Sequence, residues 1–187
     1  MSLKKIRSEW SNCDKCELAK TRSRVVFYRG AEPCDLLFIG EAPGFSEDLT
    51  GKPFTGASGR LLDDWIDQLP PIRVGIANIL GCLPIGEDNK IRPPKKQEAE
   101  LCKGRLHQII EAVHPSMVCM LGKIAKKYHK IQPYLADLPS LELQHPAYVL
   151  RKGGTESVEY KKNLIYLQEF VEENHAQEET LCGNSSS

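Results

Sequence analysis

The chain has 187 residues, enough for one domain with its own core, and its 25 basic and 25 acidic side chains cancel. A neutral total gives no bulk electrostatic footprint of a nucleic-acid binder, although it leaves room for a local basic face. No run is apolar enough to span a bilayer, and Met1-Ser2-Leu3-Lys4-Lys5 is not followed by the apolar stretch of a secretory signal. An intracellular, cytoplasmic protein is therefore expected, with no membrane partner.

Residues 1–24 read as polar and irregular, and Val25 to Tyr28 as a candidate short strand. Asp35 to Gly40 is a short apolar run ending in glycine, the pattern of a buried strand. From Gly40 to Gly59 the chain is rich in Gly and Pro, and loops of that length inside a compact domain are usually functional. Helical spacing of Leu61, Leu62, Trp65, Ile66 and Leu69 predicts a helix from Ser58, stopped by Pro70-Pro71. A second strand is predicted over Val74 to Leu80, a loop over Gly81 to Pro94 and a helix over Gln97 to Val113. Met117 to Gly122 reads as a third strand, Lys123 to His129 as a short helix and Leu141 to Gln144 as a weaker fourth strand. The stretch from His145 to Arg151 reads as a loop, and Ser157 to Glu173 as a last helix. The polar segment 174–187 is expected to be a disordered tail. Strands alternating with helices imply a single domain over 1–173, a three-layer α/β/α fold around a mainly parallel four-stranded sheet. In such sheets ligands bind beyond the carboxyl ends of the strands. The loops at 40–59, 78–94 and 145–151 should therefore share one rim.

Seven cysteines is an odd number, and a reducing compartment disfavours a disulfide framework. Cys13-Asp14-Lys15-Cys16 is a C-x-x-C pair, and Cys82 and Cys102 bring the candidate ligands to four. On chemistry alone four thiolates suit zinc or a 4Fe–4S cluster, and Cys82 and Cys102 also suit plain burial. Cys34 and Cys119 sit in or beside apolar runs and read as core, while Cys182 falls in the tail.

Several motifs then stand in one order. Gly40-Glu41-Ala42-Pro43-Gly44 comes first, followed by Gly51-Lys52-Pro53-Phe54-Thr55-Gly56 and Gly59-Arg60-Leu61-Leu62. Asn78 precedes Cys82, Cys102 and Leu121-Gly122 follow, and His145-Pro146-Ala147-Tyr148-Val149-Leu150-Arg151 closes the series. From about Cys13 to Phe170 the chain resembles the family-four, iron–sulfur uracil-DNA glycosylases. The resemblance implies hydrolysis of the N-glycosidic bond of deoxyuridine in DNA by a monomer. It also implies a structural 4Fe–4S cluster on Cys13, Cys16, Cys82 and Cys102. Two departures stand out. Cys82 is followed by Leu83-Pro84, with Arg92-Pro93-Pro94 only later, where the family continues into an Arg-Pro-Pro segment at once. The connection from Leu62 to Asn78 is short. The basic, histidine-bearing insert by which a related subgroup links covalently to DNA does not follow Phe54, so that activity is not expected.

The implied chemistry assigns roles residue by residue. A base must leave the stack to be excised. Asn78 offers one donor and one acceptor, matching uracil O4 and N3–H, although the same residue could simply cap a strand. Phe54 would stack on the base, with ordinary core packing as its other reading. His145 would donate to uracil O2 as negative charge develops. Relatives carry an aspartate where this chain has Ala42, so Glu41 is the neighbouring carboxylate that could order water. Gly40 and Ala42 would line the base pocket through close-approaching backbone. Ser58, at a helix start, suits a phosphate. Val149 and Leu150 would wedge into the duplex, and Arg151 would meet its backbone. Excision of hypoxanthine or xanthine, and a non-catalytic DNA-binding relative, are the alternatives.

Overall fold

The computed structural model describes residues 1–129, 135 and 137–183. A sheet of five strands lies at its centre, in the order β1-β3-β2-β4-β5. These are β1 (Tyr28–Gly30), β2 (Leu36–Gly40), β3 (Val74–Asn78), β4 (Met117–Leu121) and β5 (Ser140–Leu143). β2, β3, β4 and β5 are mutually parallel, and β1 runs antiparallel along β3. The expected three layers are present; the sheet has one strand more than the four expected. β1 has only three residues and ends in a glycine, so alternation gives almost no signal for it. Its pairing continues upstream, where the Val26 N–H donates to the Gly81 carbonyl at 2.7 Å.

Side-chain alternation along the central strands feeds two cores. Leu37 and Ile39 of β2 and Val118 and Met120 of β4 face one side, with α1 (Leu3–Trp10) and α4 (Lys96–Val113). Leu36 and Phe38, with Met117 and Cys119, face the other, against α3 (Ala57–Ile66), α6 (Pro146–Arg151) and α7 (Val158–Gly183). Two short helices, α2 (Phe45–Thr50) and α5 (Gly122–His129), complete the set among the described residues. Burial of central strands on both faces explains why they read as continuous apolar runs. As expected, Cys34 and Cys119 are buried core residues.

Three segments differ from expectation. α1 stands where residues 1–24 read as irregular: Ser2 caps it, and Ile6 and Trp10, one turn apart, are its buried stripe. That stripe is too narrow to show through eight mostly polar residues. The 145–151 segment is not an open loop but the helix α6, with Pro146 at its first position. The last helix continues past Glu173 to Gly183, where a tail was expected; Glu, Gln, Ala and Leu in that stretch are good helix formers. Residues 184–187 of the expected tail lie outside the described residues. No described helix is long and apolar enough to cross a membrane.

Candidate active site

The carboxyl ends of β2, β3 and β5 deliver Gly40, Asn78 and His145 to one rim, with Gly40 and Asn78 directly paired in register. Asn78 and His145 line a cleft of about 560 Å³. Its lining includes Glu41, Ala42, Phe54, Ser58, Asn78, His145 and Arg151, so most of the expected site residues do meet.

Gly40 lies against Asn78 and Phe54 but, unlike them, is not among the residues that line the cleft, where a lining role was expected. A Cβ there would stand 2.4 Å from Asn78 Oδ1 and 2.6 Å from the Phe54 ring, so only glycine lets amide and ring converge. Asn78 is 2 % exposed, and its Oδ1 has no hydrogen-bond partner. A buried acceptor left unpaired costs about 1–3 kcal/mol, and the residue that carries this one lines the cleft. Phe54 adopts a left-handed φ of 54°, and its carbonyl lies 1.8 Å from where a Cβ on Gly59 would be. Gly59 is thus what allows the Phe54 turn to pack on α3. The Phe54 and His145 rings lie 5.8 Å apart at 31°.

His145 is the N-cap of α6, and its Nδ1 accepts the Ala147 N–H at 3.1 Å. Burial, then the charge of Arg151, lowers its pKa to about 4, against a smaller opposing pull from Glu47. The imidazole is therefore neutral at physiological pH. With Nδ1 engaged as an acceptor, the ring proton sits on Nε2, leaving one N–H donor. Glu41 is half-buried, and burial raises its pKa.

Two expected DNA contacts do not face the cleft as foreseen. Val149 is wholly buried in the core beneath α6, where it cannot act as a wedge. Leu150 is partly exposed beside it, outside the cleft lining. Helical spacing decides this: a residue inside a short helix alternates between core and solvent, whereas an open loop would have freed both.

Glu47 has a role that sequence reasoning left unassigned. Its Oε2 accepts the Gly44 N–H at 2.9 Å, and its Oε1 accepts the Thr55 and Gly56 N–H groups, also at 2.9 Å. One carboxylate thus clamps the start of α2 to the turn after Phe54. Its position three residues after the N-cap Gly44 is the capping-box signal that could have revealed it. Asp48 accepts the Ser23 N–H with both oxygens, at 3.1 and 2.9 Å, tying the amino-terminal segment to the same loop.

Cys13, Cys16, Cys82 and Cys102 surround a second, small cavity, with Leu18, Leu80 and Leu101 as its apolar lining. Among the described residues no three His, Cys, Asp or Glu side chains gather to hold a metal ion. The four thiols border a void rather than meeting at a point. Burial, followed by the charge of Cys102, pushes the Cys82 thiol up to about 12. Cys102 Sγ accepts from the Gly81 N–H at 3.3 Å and from Arg105 Nε at 3.4 Å. Four cysteines around one cavity, with hydrogen-bond donors on one sulfur, are a donor set that fits a thiolate-bound group. Arg105, fully buried, also donates through Nη2 to the Asn78 carbonyl at 2.6 Å and the Ile79 carbonyl at 3.1 Å. It joins the cysteine cavity to the strand end that carries the cleft amide. Cys182 lies outside the residues whose side chains are described.

The family model of the uracil DNA glycosylase superfamily matches residues 27–169. A type-4 uracil-DNA glycosylase of Archaeoglobus fulgidus is 38 % identical over 129 residues, 68 % of this chain. The match spans 63 % of that relative's length. One of Pyrobaculum aerophilum is 33 % identical over 185 residues, covering 88 % of this chain and 92 % of the relative. A solution NMR structure from Methanosarcina acetivorans, described as a candidate uracil DNA glycosylase, has the same fold. Its TM-score is 0.51 at 13 % identity, over 79 % of this chain and 98 % of that one.

Proposed function

Because the chain belongs to the uracil DNA glycosylase superfamily, and within it to the type-4 group, we propose that it is a DNA-repair hydrolase. It cleaves the N-glycosidic bond of deoxyuridine in single- or double-stranded DNA, as a monomer whose working domain is residues 1–173. The observation that carries this reading is the partnerless, buried Oδ1 of Asn78, a residue that lines the cleft. Uracil N3–H satisfies it, and the amide NH₂ then donates to O4. Cytosine presents an acceptor at N3 and a donor at position 4, so polar groups would be left unpaired, the kind of mismatch a site rejects strongly.

The extruded base lies on Phe54. As the C1′–N1 bond stretches, the sugar becomes oxocarbenium-like and the bond's electrons move into the uracil ring. The neutral His145 donates from Nε2 to O2, where negative charge grows, and so stabilises the transition state more than the ground state. Water then adds to C1′, leaving a free base and an abasic site. Ala42 cannot position that water, so Glu41 orders it. Ser58, Leu150 and Arg151 contact the flanking DNA. Cys13, Cys16, Cys82 and Cys102 would hold a 4Fe–4S cluster, which supplies a structural cross-link between the amino-terminal segment and α4.

The test is release of free base from oligonucleotides carrying one uracil, cytosine, thymine, hypoxanthine or xanthine. Only uracil should be released at an appreciable rate, and Asn78→Asp should depress that rate while permitting weak release of cytosine. Equal rates for Asn78→Asp and the unaltered chain would remove the amide from base reading.

A further inference from the structure

Two large apolar side chains of the cleft remain in solvent: Phe45 is 54 % exposed and Ile91 51 %. Neither packs on the core, and neither touches the base in the chemistry above. Leu49, one turn along α2 from Phe45 and 67 % exposed, extends the same apolar face. Exposed apolar patches beside a site mark a contact surface. Both carriers are held firmly. Phe45 opens the α2 turn that Glu47 clamps. Ile91 sits on a hairpin closed by its bridge to Ile85, by the Gly86 N–H on the Lys90 carbonyl at 2.8 Å, and by the Arg92 N–H on the Pro84 carbonyl at 3.0 Å. Arg92 anchors that hairpin to α4 through a two-pronged bond to Glu98, at 2.9 and 2.5 Å. Its guanidinium is occupied by a carboxylate, so the arm is not built to clamp a phosphate. With Val149 buried, Leu150 alone of the two expected wedge residues is available to fill space around an extruded nucleotide.

We propose that Phe45 and Ile91 grip the nucleobases flanking the extruded uracil, with the Arg92–Glu98 pair as the positioning element of the Ile91 arm. The proposal rests on the uracil-excision reading. A ring and a branched aliphatic offer faces to any base, so the grip is independent of sequence. It compensates for stacking lost when the uracil leaves.

The experiment compares two single-stranded uracil oligonucleotides, one with normal neighbours and one with tetrahydrofuran abasic residues on both sides of the uracil. The half-saturating protein concentration is read from single-turnover uracil release. The unaltered chain should need at least about fivefold more protein on the abasic-flanked strand, roughly 1 kcal/mol, the low end of one base–aromatic stack. Phe45→Ala and Ile91→Ala should each shrink that ratio, and the double variant should bring it near one. Phe45→Trp should keep it. Variants that retain the full ratio, or an unaltered chain indifferent to the flanks, would overturn the grip. No uracil release from either strand by the unaltered chain would instead overturn the activity on which it rests.

Discussion

His145 keeps its imidazole neutral for local reasons: it is largely enclosed, Arg151 stands nearby, and its Nδ1 accepts the Ala147 N–H. The folded pKa of about 4 lies below the ordinary 6.5. Between those values the unfolded chain binds the proton and the folded chain does not. The contribution of neutral His145 to stability is therefore complete above pH 6.5 and is lost as the pH falls toward 4. The same neutrality makes a catalytic prediction. Glu41 titrates above the ordinary carboxylate range because burial raises it, so Glu41→Gln removes its contribution to the pH profile. Single-turnover excision by Glu41→Gln should then be flat from pH 8 down to about 5. An inflection near 6.5 would show an ordinary, solvated histidine. Asn78 and Phe54 were visible in the sequence only through the motif order, because an asparagine after a strand more often caps it. What the sequence could not show is that Gly40 removes a Cβ so that both groups reach one point.

At the scale of elements, α4 holds the two halves of the site together. Glu98 and Cys102 lie one turn apart, with Arg105 next on that side. Through Glu98 the helix holds the Ile91 hairpin, and through Arg105 it holds the carbonyls at the end of β3. Arg105→Met keeps much of the volume but leaves the Asn78, Ile79 and Val26 carbonyls without their donor. The expected loss is about 3–5 kcal/mol in denaturant unfolding; a loss under about 1 kcal/mol would mean that water replaces the guanidinium. Nothing in the sequence singles out Arg105, because helical periodicity assigns a face to a residue and not a partner. The helices α3 and α4 and the strands β2, β3 and β4 were legible because each carries a strong apolar pattern over its whole length. α1 and α6 were not: α1 buries only Ile6 and Trp10 among polar neighbours, and the six residues of α6 follow a proline that suits a loop as well. Missing α6 also misplaced Val149.

On the scale of the whole molecule, the cleft and the cysteine cavity both draw on the end of β3: Asn78 lines the first, and Leu80 and Cys82, just beyond it, line the second. The cysteine cavity draws its walls from residues far apart in sequence, Cys13 and Cys16 on one side and Cys82 and Cys102 on the other. A group bound there would cross-link the amino-terminal segment to α4. Protein prepared without oxygen should therefore contain about four irons. Cys82→Ala and Cys102→Ala should lose both iron and thermal stability, whereas Cys182→Ala should lose neither. One zinc and no iron would replace the cluster with a single-ion site. The choice between those metals was not in the spacing of the cysteines; it came from the resemblance. In the cleft, we propose, charge developing on the departing uracil is met by the neutral His145, with no carboxylate indispensable. Single-turnover release of uracil by His145→Ala and Glu41→Gln, measured side by side at saturating protein, tests it most directly. His145→Ala should be slower by about 10²–10³, the usual cost of one preorganised donor, and Glu41→Gln should be affected less. An unchanged rate for His145→Ala, with excision abolished in Glu41→Gln, would contradict the account and make Glu41 the essential base.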